Sequence, residues 1–147
     1  MANTFNRIVL NYRGQVHEKE SPLKSGSEIW PGMLLEFDVA DVKPHATATG
    51  TPAPLIVAVE APWREGSGID DKFDQAGESV PYHYPLSGEE LYVILDIGED
   101  ITAIGTLLES AGNGAVQAGS TGPLFRALEV VDNSPGYQFV HIHVEVL

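Results

Sequence analysis

The chain contains no cysteine. Disulfide bridges, thiolate nucleophiles and thiolate metal ligands are therefore excluded, and redox chemistry does not fix its compartment. Helical periodicity is nearly absent, one turn near Asp70 to Gln75 being the single stretch that hints at it. No apolar run approaches membrane-spanning length. The start, MANTFNRIVLNYRG, lacks the sustained apolar segment of a signal peptide. Basic residues are scarce, with 8 Lys and Arg against 21 Asp and Glu, a net charge of −13. An acidic body repels phosphate backbones, which argues against nucleic acid as a partner. There is no GxSxG sequence. Gly66-Ser67-Gly68 and Gly112-Asn113-Gly114 precede neither a helix nor a Walker lysine, so they read as turn punctuation rather than phosphate cradles.

Glycine and proline are plentiful, at 15 and 10, and they run through the whole chain. Turns at that density, in 147 residues with 43% hydrophobic side chains, point to one all-β domain with a real core. The central stretch is Gly88 to Gly114. In it Leu91, Val93, Leu95 and Ile97 alternate with Tyr92, Ile94 and Asp96, the pattern of a strand with one strongly apolar face. Met33 to Val39 reads as a strand burying Met33, Leu35, Phe37 and Val39. Leu55 to Glu60 is apolar almost throughout, as a strand covered on both faces would be. Val80 to Tyr84 contains Pro81 and is predicted at a sheet edge. Leu124 to Val131 and Tyr137 to Val146 are the last predicted strands, joined by a hairpin loop over 132–136. Ile29-Trp30-Pro31-Gly32 reads as a turn, with Pro31 suited to the second position and Gly32 to the third, the type II signature. The expected architecture is a small β-barrel or β-tulip-like sandwich with little helix.

Charge divides the chain unevenly. The first 24 residues hold Arg7, Arg13, Lys19 and Lys24 against Glu18 and Glu20, a balance of +2; the other 123 hold 4 basic and 19 acidic residues, −15. Glu18 to Glu28 is polar and broken by Pro22 and Gly26, and residues 1–27 read as an extended N-terminal arm. Residues 28–147 read as the barrel domain. The arm nevertheless carries Ile8, Val9, Leu10 and Tyr12, which an arm without a partner would gain little from. Ala61 to Gly77 is the longest irregular region, and loops of that length are usually functional or ordered by a partner.

Two clusters invite a metal. His141, His143 and Glu145 share one face of the last strand, and His-x-His with a carboxylate is a ligand pattern of β-barrel metalloenzymes; His83 or His45 would complete it. Asp70, Asp71 and Asp74 offer oxygen ligands, but their spacing matches no EF-hand loop. A polar solvent-facing strand and a charged loop explain the two clusters as well. The reading therefore assigns no catalytic residue, no metal and no cofactor, and keeps a small metal-dependent enzyme as the alternative.

The order of these pieces resembles the capsid decoration, or head cement, proteins of tailed bacteriophages. The resemblance runs through GSEIWPGMLLEF, then LIVAVEAPWREGSGIDDKFDQAGESVPYHYPLSGEELYVIL, DIGEDITAIGTLLESAGNG, FRALEVVDN and the alternating end HIHVEVL. It lies in pattern and order rather than in a short motif, and the first 27 residues match only loosely. It implies a non-enzymatic virion protein on the capsid exterior, often a homotrimer, bound to the major capsid protein and using its arm to reach a neighbour. On that basis Phe5, Arg7, Ile8, Leu10, Tyr12 and Arg13 of the arm are expected to bind capsid or a neighbouring subunit. Trp63, Arg64 and Phe73 of the long loop are expected to do the same. A phage tail or receptor-binding component is a further alternative.

Overall fold

The computed structural model describes residues 8–11, 18–49, 54–61 and 68–147. Among them there is no helix; thirteen short strands form the fold. In chain order they are β1 (Val9–Asn11), β2 (Glu18–Pro22), β3 (Leu34–Asp38), β4 (Asp41–Pro44), β5 (Ile56–Ala58), β6 (Ser79–His83) and β7 (Glu90–Leu95). There follow β8 (Asp100–Ile101), β9 (Leu107–Ser110), β10 (Val116–Ala118), β11 (Phe125–Ala127), β12 (Val131–Asp132) and β13 (Val140–Val146).

Five of these close into a barrel. β7 pairs with β13, β13 with β11, β11 with β9, β9 with β10, and β10 returns to β7. All the pairings are antiparallel except β10–β7, which is parallel and meets at Val116 and Leu95. β1 adds to β7 beside Leu91 and Glu90, and β8 with β12 forms a separate ribbon. The remaining strands make an antiparallel sheet in the order β2-β6-β5-β3-β4. It curls until Leu23, just past β2, bridges Val42 of β4, where the Lys24 amide donates to the Val42 carbonyl at 3.0 Å.

Two cores result, and the period of two sorts side chains between them. On the curled sheet Leu34 and Val57 point into the barrel core with Leu91, Val93, Leu95, Phe125, Ile142 and Val144. Their neighbours Leu35 and Ile56 point the other way, against Leu23, Ile29, Val42, Phe73 and Val80. This explains why Leu55 to Glu60 lacks alternation: both faces of β5 are covered.

Several predicted elements shift for physical reasons. β3 is buried on both faces at its start, and its expected apolar row runs out into solvent, with Phe37 38% and Val39 100% exposed. Ile97 is exposed because the chain leaves β7 after Leu95 and turns, the Glu99 amide donating to the Asp96 carbonyl. Pro81 is not at an edge, since β6 lies between β2 and β5. Its carbonyl accepts from the Val59 amide at 3.0 Å, just beyond β5, so its missing N–H falls where that ladder ends. Leu124 to Val131 splits into β11 and β12, and β12 pairs with β8, so 132–136 is no hairpin loop. Asp70 to Gln75 forms no helical turn; it is irregular, with Phe73 in an antiparallel bridge to Ile29.

The described part of the first 27 residues is built into the sheets. β2 runs along β6 through five residue pairs, and β1 lies on β7. Ile8 is fully buried and Val9 nearly so, both in the barrel core. A truncation reaching Gln15 thus removes core side chains as well as a terminal extension. Ile8→Ala is expected to lower the unfolding free energy by about 2–4 kcal/mol, while Leu10→Ala, on the exposed face, stays within about 0.5 kcal/mol. Denaturant unfolding measures both, and equal effects at the two positions would place Ile8 outside the core.

Candidate functional site

The last strand and the turns packed against it hold most of the polar chemistry. β13 places His141, His143 and Glu145 on one face, as the period of two requires, but each engages a different group. The His141 Nε2–H donates to the Pro31 carbonyl at 2.8 Å. His143 Nε2 lies 2.9 Å from Glu90 Oε1 on β7. Glu145 accepts from Arg126 directly opposite on β11, at 2.5 Å from Nη2 and 3.1 Å from Nε. The two rings and the carboxylate therefore do not converge on a common point. Of the histidines offered to complete the set, His83 Nε2 pairs with Glu89 Oε1 at 2.9 Å, both side chains wholly buried. His45 is buried after β4, and neither of its ring nitrogens has a hydrogen-bond partner among the described residues. Among the described residues no group of three or more His, Asp or Glu is placed to hold a metal ion. In the acidic loop Asp71 accepts from the Gly68 amide at 2.6 Å and Asp74 lies 3.8 Å from Lys72.

His141 instead fastens a turn. Trp30 to Met33 forms the expected type II turn, with the Met33 amide donating to the Trp30 carbonyl at 3.0 Å and Gly32 at φ +96°. A Cβ on Gly32 would lie 3.1 Å from both the His141 ring and the Tyr92 carbonyl, so only glycine meets the backbone angle and the close approach together. On the outer side Trp30 stacks on Phe139 of the β12–β13 loop, with ring centroids 4.1 Å apart. Lys72 spans Trp30 and Glu28, its Nζ 5.9 Å from the ring and 3.1 Å from the carboxylate. Burial pushes the His141 pKa down; the bond to Pro31 and the charge of Asp70 oppose that only in part.

The residues expected to bind partners fall into three groups. Phe5, Arg7, Tyr12, Arg13, Trp63 and Arg64 lie outside the described residues. Leu10 is displayed, 39% exposed. Ile8 and Phe73 are fully buried in the chain's own two cores, Phe73 through a bridge to Ile29, so the fold itself uses them. Sequence reading missed Val39 as a surface residue. It sits at the tip of the β3–β4 hairpin, fully exposed, at φ +59°. A β-branched residue there is strained by about 1–3 kcal/mol, and no burial offsets it. The visible signal was the two-residue spacing between Asp38 and Asp41, which leaves Val39 only a turn to occupy.

No family model matches the chain, and no curated protein matches it in sequence. Among solved structures it is similar to the N base of the head fiber gp8.5 of bacteriophage phi29. The TM-score is 0.55 and the identity 16%, over 88% of this chain and 94% of that one. At that identity the likeness is one of fold.

The lowered His141 pKa sets a sign for pH dependence. The unfolded chain takes up this proton near the ordinary value of 6.5, before the folded chain does, so stability falls as the pH drops through that value. The fall ends once folded His141 is itself protonated. His141→Gln keeps a donor for Pro31 but cannot titrate, and is expected to flatten that limb. Urea midpoints from about pH 8 to about pH 5 measure this; identical pH profiles for the two proteins would contradict it.

Proposed function

We propose that this chain is a non-enzymatic structural protein of a tailed-phage virion, carried on the outside of the head. The fold likeness to the phi29 head fiber base carries this reading. The decoration-protein pattern read from the sequence points the same way independently. An acidic body suits a protein displayed away from packaged DNA. The engagement of His141, His143 and Glu145 with three separate partners removes the arrangement on which the metal-enzyme alternative depended.

In its finer form the proposal is a cement role. The protein binds the major capsid protein, as a homotrimer, and bridges neighbouring capsid subunits. Docking is assigned to the N-terminal residues Phe5, Arg7, Leu10, Tyr12 and Arg13, to Trp63 and Arg64, and to the hairpin tip at Val39. The last is included because strain at a fully exposed apolar residue serves no purpose in the isolated fold.

Antibody-labelled electron microscopy of virions is expected to place the protein on the head exterior. Label on the tail, or virions without label, would reject the reading. For the docking surface, Leu10→Asp and Val39→Gly are each expected to weaken binding to purified heads by about tenfold or more. Thermal stability should stay unchanged for the first and rise for the second, as glycine relaxes the hairpin. Cosedimentation and calorimetry read the two quantities separately, and undiminished binding by both variants removes these residues from the interface.

A further inference from the structure

Beside the Trp30–Phe139 stack lies a cleft of about 680 Å³, between the β12–β13 loop and the outer face of β7 and β13. That volume lies within the range of sites for small groups. Its walls include Tyr92, Glu129, Asp132, Tyr137, Gln138 and Phe139. Tyr137 is 68% exposed, yet its backbone is pinned. Asn133, fully buried, donates from Nδ2 to the carbonyls of Asp96 and Tyr137 at 3.2 and 2.9 Å, and its Oδ1 accepts from the Tyr137 amide at 3.0 Å. Phe139 is held at φ +60° against Trp30. Two aromatic rings are thus presented on a backbone already fixed, which limits the ordering entropy lost on binding.

The charges in the cleft are of one sign. Its lining holds Glu129 and Asp132 and no lysine or arginine among the described residues. Glu129 is half-buried, and its Oε1 accepts from the His143 amide at 2.9 Å, a neutral donor that does not itself balance the carboxylate. Hydrogen bonds from Ser134 hold the Asp132 carboxyl below its usual range, so it is charged. Burial and the neighbouring Glu129 charge push the Tyr92 hydroxyl up, and burial disfavours a charge on His141 at the cleft wall. Two carboxylates therefore line the cleft beside aromatic rings, with no lysine or arginine among its described lining residues. An anion is repelled, and a neutral ligand would leave Glu129 partly desolvated without compensation. A cation satisfies carboxylates and ring faces at once.

We propose that this cleft receives a cationic side chain, arginine before lysine, presented on the surface of a partner protein. Arginine fits better because its planar guanidinium stacks on a ring while donating two parallel hydrogen bonds to a carboxylate. The inference goes beyond the virion reading, since the recognition depends on the cleft and not on which protein presents the cation.

The test is an amide chemical-shift titration of the full chain with acetyl-Gly-Arg-Gly-amide and with the same peptide carrying citrulline. Citrulline keeps the shape of arginine and removes its charge. The arginine peptide is expected to shift the Tyr137, Gln138 and Phe139 amides saturably, and the citrulline peptide to bind about tenfold more weakly. Glu129→Gln should lower affinity for the arginine peptide by a similar factor. Asp132→Asn, at an exposed position, supplies the same test if the first variant perturbs the fold. Equal binding of the two peptides overturns the proposal. So do shifts spread over the whole acidic surface, wild-type affinity in both variants, or a neutral oligosaccharide such as maltotriose displacing the arginine peptide.

Discussion

The ladder between β7 and β13 is the constraint on which the rest of the structure depends. Six residue pairs join them, from Leu95 opposite Val140 to Glu90 opposite Glu145, and this pairing closes the barrel. A ring of only five strands curves tightly, so no strand can run long and every corner needs a turn. The abundant glycine and proline follow from that geometry rather than from any binding loop. Gly119 makes the same point, since a Cβ there would collide with the buried carboxylate of Glu109. That carboxylate also accepts from the Gly122 amide at 3.0 Å, pinning the turn after β10. β7 has the further burden of serving both cores. Leu91, Val93 and Leu95 fill the barrel, while Ile94 meets the second core.

What could be read from the sequence was what depends on period and local turn chemistry. The alternation of Leu91, Val93 and Leu95, the doubly covered Ile56 to Ala58, the inward row of Ile142, Val144 and Val146, and the turn at Pro31-Gly32 are all legible in a few consecutive residues. What could not be read depends on partners distant in sequence. β2 is the polar run EKESP, and nothing in it signals a strand. It is ordered by backbone pairing with β6, which makes few demands on side chains. Ile8 and Phe73 looked available for a partner because one lies in the N-terminal arm and the other in the longest irregular region. Only the closed fold shows that each has a core to enter. The destination of His141 was hidden for the same reason, since Pro31 lies 110 positions away.

The buried polar groups hold elements together across the fold. His83 belongs to the curled sheet and Glu89 to the turn entering β7, so their pair joins the sheet to the barrel. Glu89 also accepts from the Leu86 amide at 2.5 Å, which fixes the turn that delivers β7 to its ladder. Removing one member of such a pair strands a polar group in the interior, a penalty of about 3–5 kcal/mol. These side chains are the ones a search for metal ligands would select. Their use here is structural, since the buried pair ties the curled sheet to the turn entering β7.

The charge balance then limits what the surface can meet. Among the described residues Lys24 is taken up by Asp38, Lys72 by Glu28 and Arg126 by Glu145, so these cations are already committed within the fold. The acidic excess stays at the surface and in the cleft between Tyr92 and Tyr137. Exposed pairs of this kind add little stability, so their main effect is to remove positive charge from view. An approaching partner meets carboxylates, a few exposed apolar residues such as Leu10 and Val39, and aromatic rings on a pinned backbone. Electrostatics of that kind govern which partner docks, and how fast, more than how tightly it holds. On the cleft reading proposed above, a basic face with apolar content is favoured over another acidic body.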